Sequence, residues 1–125
     1  MNAITPNDRP KGSVTSTISP HPRFHLGRLL ATPAALRTLE EYGVQPLTLI
    51  FRHVRGDWGD LCAEDRMANE TAVEFGFRIF SSYKLTRPDI QQQLEATVWC
   101  ITEAVTDGTI GGPRECTTLL LPSDY

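Results

Sequence analysis

GFRIFSSYKL, residues 76–85, is where the chain changes its period. Phe77, Ile79, Ser81 and Tyr83 alternate with Arg78, Phe80 and Ser82, the period-two pattern of a half-buried strand rich in aromatic and β-branched residues. TVWCITEA, 97–104, alternates in the same way, and CTTLLL, 116–121, supplies a further strand ended by Pro122. The connections TRPDIQQQLE and VTDGTIGGPRE carry the Pro, Gly and Asp of hairpin turns.

Upstream of residue 76 the apolar residues recur at helical spacing. Thr32 followed by Pro33 is a helix start, with a hydroxyl at the N-cap and a proline where its missing N–H costs nothing. That helix places Ala35, Leu36, Leu39 and Tyr42 on one face, and Gly43 can adopt the left-handed cap. Pro46 opens a second helix with Leu47, Ile50, Phe51 and Val54 as its apolar face, stopping at Gly56. GDWGD, 56–60, reads as a turn, with Asp60 as N-cap of a third helix from about Leu61 to Phe75. FHLGRLLA, 24–31, suits a first strand, weakened or bulged at Gly27. The order β-α-α-α-β-β-β predicts an α+β domain with helices packed on one face of a largely antiparallel sheet. Which edge of that sheet is free is not readable from the pattern.

The chain has 125 residues, enough for one domain with a real core and too few for two. Residues 1–22 combine Pro, Ser, Thr, Asn and Gly with few large apolar side chains and read as a floppy leader, leaving 23–125 as the folded unit. The formal charge of −3 lacks the basic excess of a nucleic-acid binder. Without a signal-peptide run or a membrane-length apolar segment, the expected location is the cytoplasm. Cys62, Cys100 and Cys116 are odd in number and widely spaced, and read as reduced structural thiols. No spacing calls for a cofactor or a metal. His21 and His25 are separated by Pro22, and the carboxylates Asp57, Asp60, Glu64 and Asp65 lack the ligand pattern of a calcium loop.

RHVRGDWGDLCAEDRMANE, residues 52–70, gathers most of the chemically capable side chains. A structural reading makes Asp57 and Asp60 turn and cap residues, folds Trp58 onto the core, and turns Asp65 inward to bond turn amides or to pair with Arg55 or His53. A binding reading leaves Trp58 exposed, rimmed by Arg55, Asp57 and Asp60, as a rigid anchor for a protein partner. A catalytic reading pairs His53 with Asp57 or Asp65 as base and orienter, with Glu103 as acid or Cys62 as nucleophile.

FHLGRLLATPAAL, RHVRGDWGDLCAEDRMANE, FRIFSSYKL, VWCITEA and TTLLLPSDY together resemble a family of small proteins from bacterial plasmids and integrative elements, over about Phe24 to Tyr125. Its members are labelled plasmid-related proteins, sometimes restriction-modification components. The resemblance implies a mobile-element setting and a host or element-encoded protein partner, with modulation of host defence as a role. The connection VTDGTIGGPREC is longer here than in that family, and Arg114 takes the place of a turn residue before the last strand. The runner-up is a small hydrolase or nuclease using His53 and neighbouring carboxylates, since the element order is broadly that of small ribonuclease toxins.

Overall fold

The computed structural model describes residues 18–87, 89 and 94–125. In chain order these form β1 (Arg28–Ala31), α1 (Pro33–Tyr42), α2 (Pro46–Val54), α3 (Ala63–Phe75), β2 (Ile79–Thr86), β3 (Glu95–Thr102), β4 (Cys116–Leu120) and a short 3₁₀ turn (Pro122–Asp124). The strands lie in the order β1-β4-β3-β2. β2, β3 and β4 run antiparallel, and β4 pairs in parallel with β1. The fold is therefore the expected α+β domain. The leader falls outside the described residues up to position 17, as do residues 88 and 90–93 of the TRPDIQQQLE connection. Ser19 N–H donates to the Arg55 carbonyl and Arg23 N–H to the Val54 carbonyl, so the chain before β1 runs beside the end of α2.

α1 forms as its local chemistry dictates. Thr32 Oγ1 accepts from the Ala35 N–H at 3.1 Å, Pro33 occupies the first turn, and Gly43 closes the helix in the left-handed region. Ala35 and Leu39 are buried, whereas Leu36 lies on the exposed side. α2 buries Ile50 and Val54 of the predicted stripe, but adds Leu49 and His53 to them while Leu47 and Phe51 face outward. The helix is rotated because His53 finds buried hydroxyl partners that no apolar count registers. α3 begins at Ala63 with Cys62, not Asp60, at the N-cap, and no side chain caps it. It turns Asn69 and Ala72 inward, while Asp65, Ala68 and Phe75 are exposed. The expected inward Asp65 is thus corrected: its carboxylate stays in water, where no buried partner is required.

The helices cover one sheet face. Ala35, Leu39, Leu49 and Ile50 pack on Tyr83, Leu85, Val98, Cys100 and Leu119, and a second cluster joins Trp58, Ala72 and Ile79 with the half-buried Phe24, Leu61 and Val73. On β2, Ser81 stands between Ile79 of the second cluster and Tyr83 of the first. The 104–115 connection prolongs the β3–β4 pairing through a bridge between Val105 and Arg114.

Candidate functional site

The GDWGD turn lies along the outer edge of β2. Ser82 N–H donates to the Trp58 carbonyl at 3.2 Å and Asp60 N–H to the Ser82 carbonyl at 2.6 Å, a parallel bridge in all but length. Gly59, at φ +78, sits so close that a Cβ would overlap the Ser82 carbonyl oxygen. Asp57 braces the turn from behind. Its Oδ1 accepts the Gly59 N–H, its Oδ2 accepts Arg52 Nε–H at 2.7 Å, and its carbonyl accepts the Tyr83 hydroxyl at 2.6 Å. Arg52 in turn stacks its guanidinium over the Tyr83 ring, and the Asp57 carboxylate raises the Arg52 pKa. Asp60 reaches Lys84 at 3.6 Å, an exposed pair of small energetic weight.

Trp58 is 4% exposed. Its indole N–H donates to Glu70 Oε2 at 3.0 Å, Glu70 is held by Arg23 through bonds of 2.7 and 3.1 Å, and the ring stacks on Phe24 at 6.2 Å. The exposed anchor rimmed by Arg55, Asp57 and Asp60 is therefore corrected: this indole belongs to the core, because Glu70 and Phe24 together offer it a polar and an apolar partner.

His53 is fully buried, with Nδ1 2.6 Å from Ser81 Oγ and Nε2 2.9 Å from Thr102 Oγ1. Thr102 Oγ1 is 2.6 Å from Thr117 Oγ1, which bonds the Leu26 carbonyl at 2.7 Å. That carbonyl can only accept, and this sets the direction of the whole chain. Thr117 donates to Leu26, Thr102 to Thr117, Nε2–H of His53 to Thr102, and Ser81 to Nδ1. The imidazole is thus neutral with its proton on Nε2. Burial, assisted by the nearby Arg114 charge, lowers its pKa to about 3.

A serine donating to a histidine is the start of a nucleophile and its base, but Ser81 and His53 are both sealed from solvent. The runner-up's residues are not brought together either. Asp57 is spent on Arg52 and Gly59, Asp65 is exposed on α3, and Glu103 lies 3.6 Å from Arg78. Cys62, Cys100 and Cys116 are free thiols; burial pushes the Cys100 pKa up, and Cys62 is exposed without a side-chain capping bond. Among the described residues no group of three or more His, Cys, Asp and Glu is placed to hold a metal ion, and no helix is long and apolar enough to cross a membrane.

Among the described residues the opposite sheet face carries no α-helix. Its register places Leu30, Thr118, Ile101 and Phe80 in one row and Leu120, Trp99 and Ser82 in the next. Phe80 meets Trp99 edge-on at 5.1 Å and Trp99 meets Tyr125 edge-on at 5.8 Å. Arg78 donates to the Tyr125 hydroxyl at 2.9 Å and lies over its ring. Arg78, Phe80, Trp99, Ile101 and Tyr125 line a shallow cleft of about 250 Å³. The C-terminal turn is fixed there by Asp124, whose carboxylate accepts from Leu121 N–H at 2.9 Å and Thr32 Oγ1 at 2.6 Å. No motif in the sequence marks this cluster, although Phe80 and Trp99 fall on the outward phase of their own strands. Comparison of the chain with protein-family models, with curated protein sequences and with solved structures finds no match.

Proposed function

We propose that this is a non-enzymatic interaction domain that binds a protein partner through the helix-free sheet face centred on Trp99 and Tyr125. One observation carries the reading: a connected group of Phe80, Trp99 and Tyr125, with Arg78 beside it, lies on the sheet face that the described residues leave without an α-helix. Aromatic rings and arginine are the residues that concentrate binding energy at protein interfaces, the rings because they bury large areas with few rotors and the guanidinium because it offers several hydrogen-bond donors in a planar fork. Tyr125 is 71% exposed, leaving its ring available to a partner. The resemblance across Phe24–Tyr125 supports a mobile-element setting, with a host or element-encoded protein as the partner and host defence as the process affected.

The test compares the wild type with Trp99→Ala, Tyr125→Ala and the control Phe51→Ala in affinity capture from bacterial lysate, followed by reconstitution with the purified candidate. Binding at one-to-one stoichiometry, lost in the first two variants and kept in Phe51→Ala, supports the reading. Equal binding by all four proteins refutes this face as the interface.

A further inference from the structure

A second cleft, of about 250 Å³, opens between the segment before β1, α3 and the turn before β4. Its lining is Pro22, Arg23, Phe24, His25, Val73, Gly111, Gly112 and Arg114. Three of these side chains are of basic type and none is acidic, in a chain whose formal charge is −3; Arg23 is already paired with Glu70, so His25 and Arg114 set the character of the cleft. Phe24 and Val73 give the cleft an apolar wall.

Arg114 is the unusual member. It is 5% exposed, its hydrogen bonds go to carbonyls, Nη1 to Phe77 at 2.7 Å and Glu103 at 2.9 Å and Nη2 to Ala72 at 3.2 Å, and its guanidinium lies 5.7 Å from the centroid of the Phe24 ring. Arg23, Arg52 and Arg78 each have a carboxylate within 4 Å, but this more deeply buried cation has none among the described residues. Burying a guanidinium is costly, and carbonyl dipoles, including that of Ala72 at the end of α3, offset the charge without neutralising it. Five N–H groups are available and three are used. The Nε–H and one Nη2–H have no acceptor among the described residues, and Nε and Nη2 flank the edge of a guanidinium that grips a carboxylate or phosphate with two parallel bonds. The Gly111 N–H also has no backbone acceptor there, and a Cβ at Gly111 would meet nothing within 4 Å.

We propose that this cleft binds a small oxyanion, a carboxylate or phosphate group on a small molecule, with Arg114 as its buried counter-charge and His25 at the mouth. The anion completes the neutralisation that the three carbonyls begin, and Phe24 receives any apolar or ring portion. The volume lies just below that of drug-sized ligand pockets, which selects small ligands. The site is separate from the Trp99 face, so either reading can fail without the other.

Because Arg114 also ties α3, residue 77 and the end of β3 together, its replacement perturbs folding, and the rim supplies the informative variant. His25 is exposed, so His25→Glu places a carboxylate at the mouth without disturbing the core. Backbone amide shifts are followed by NMR during titration with inorganic phosphate and, separately, benzoate at constant ionic strength. The expected result is saturable change at Val73, Gly111 and Gly112, weakened about tenfold or more in His25→Glu and kept in the exposed charge control Arg37→Glu. Saturation by phosphate alone assigns a phosphate group; saturation by benzoate alone assigns a carboxylate with its ring on Phe24; saturation by both leaves the oxyanion as the recognised element. Unsaturable shifts with both anions, shifts spread over unrelated basic residues, or equal affinity in His25→Glu would overturn the proposal.

Discussion

Asn69 pairs with Phe80 as a neighbouring strand would. Its Nδ2–H donates to the Phe80 carbonyl at 2.6 Å and its Oδ1 accepts the Phe80 N–H at 3.1 Å. Two residues further on, Ser82 is matched in the same way by Trp58 and Asp60. The stretch 52–70 thus closes the β2 edge with one side-chain amide and one short backbone bridge, and charged Lys84 follows on the same strand. Covering or charging an edge prevents a second sheet from pairing with it. β1, at the other end of the sheet, has no strand beyond it among the described residues.

Asn69→Ala removes both bonds and leaves two backbone groups of Phe80 without partners. The expected loss is about 1–3 kcal/mol of unfolding free energy in a urea titration, with faster aggregation of the folded protein as the edge is bared. An unchanged midpoint would show that water replaces the amide at no cost.

Gly59 and Gly43 both hold positive φ, +78 and +70, but only Gly59 has backbone where a Cβ would go. Gly43→Ala should cost about 1 kcal/mol, the conformational penalty alone. Gly59→Ala should cost clearly more, since the turn must also move off Ser82. Thermal unfolding of the two variants side by side decides this, and equal shifts would mean that the turn yields freely.

Trp58→Ala should lose about 3–5 kcal/mol, because it empties a buried ring site and removes one of the hydrogen bonds that Glu70 accepts. Trp99 lies half-buried on the helix-free face, so Trp99→Ala should cost less stability while abolishing partner binding. Chemical denaturation separates them. A Trp99 variant as unstable as the Trp58 variant would make the outer face a second core.

His53 supplies a pH dependence with a definite sign. Its folded-state pKa, about 3, lies below the ordinary 6.5, so between these values the unfolded chain binds a proton that the folded chain refuses. The contribution is whole above about pH 6.5 and falls as the pH drops, reaching a loss of about 2 kcal/mol near pH 5. His53→Gln should be less stable at neutral pH yet show a flatter slope between about pH 7 and pH 5. An equally steep slope in the variant would assign the dependence to other groups.

Local chemistry was enough for α1, because Thr32, Pro33 and Gly43 act on their own neighbours, and for the strands, because alternation at residues 79–85 needs only the pleat to sort Ile79, Ser81, Tyr83 and Leu85 from Phe80, Ser82 and Lys84. Those features determined the element order and hence the α+β class. The candidate site was not readable in that way. His53 turns inward because Ser81 and Thr102 wait 28 and 49 residues away, and Trp58 is buried because Glu70 and Phe24 meet it from α3 and from the segment before β1. A polar or aromatic side chain takes the side where its hydrogen bonds are satisfied, and only the tertiary structure brings those partners within reach. The aromatic face follows the same rule in reverse: alternation put Phe80 and Trp99 outward, but whether a helix would cover them depended on all three helices choosing the other side.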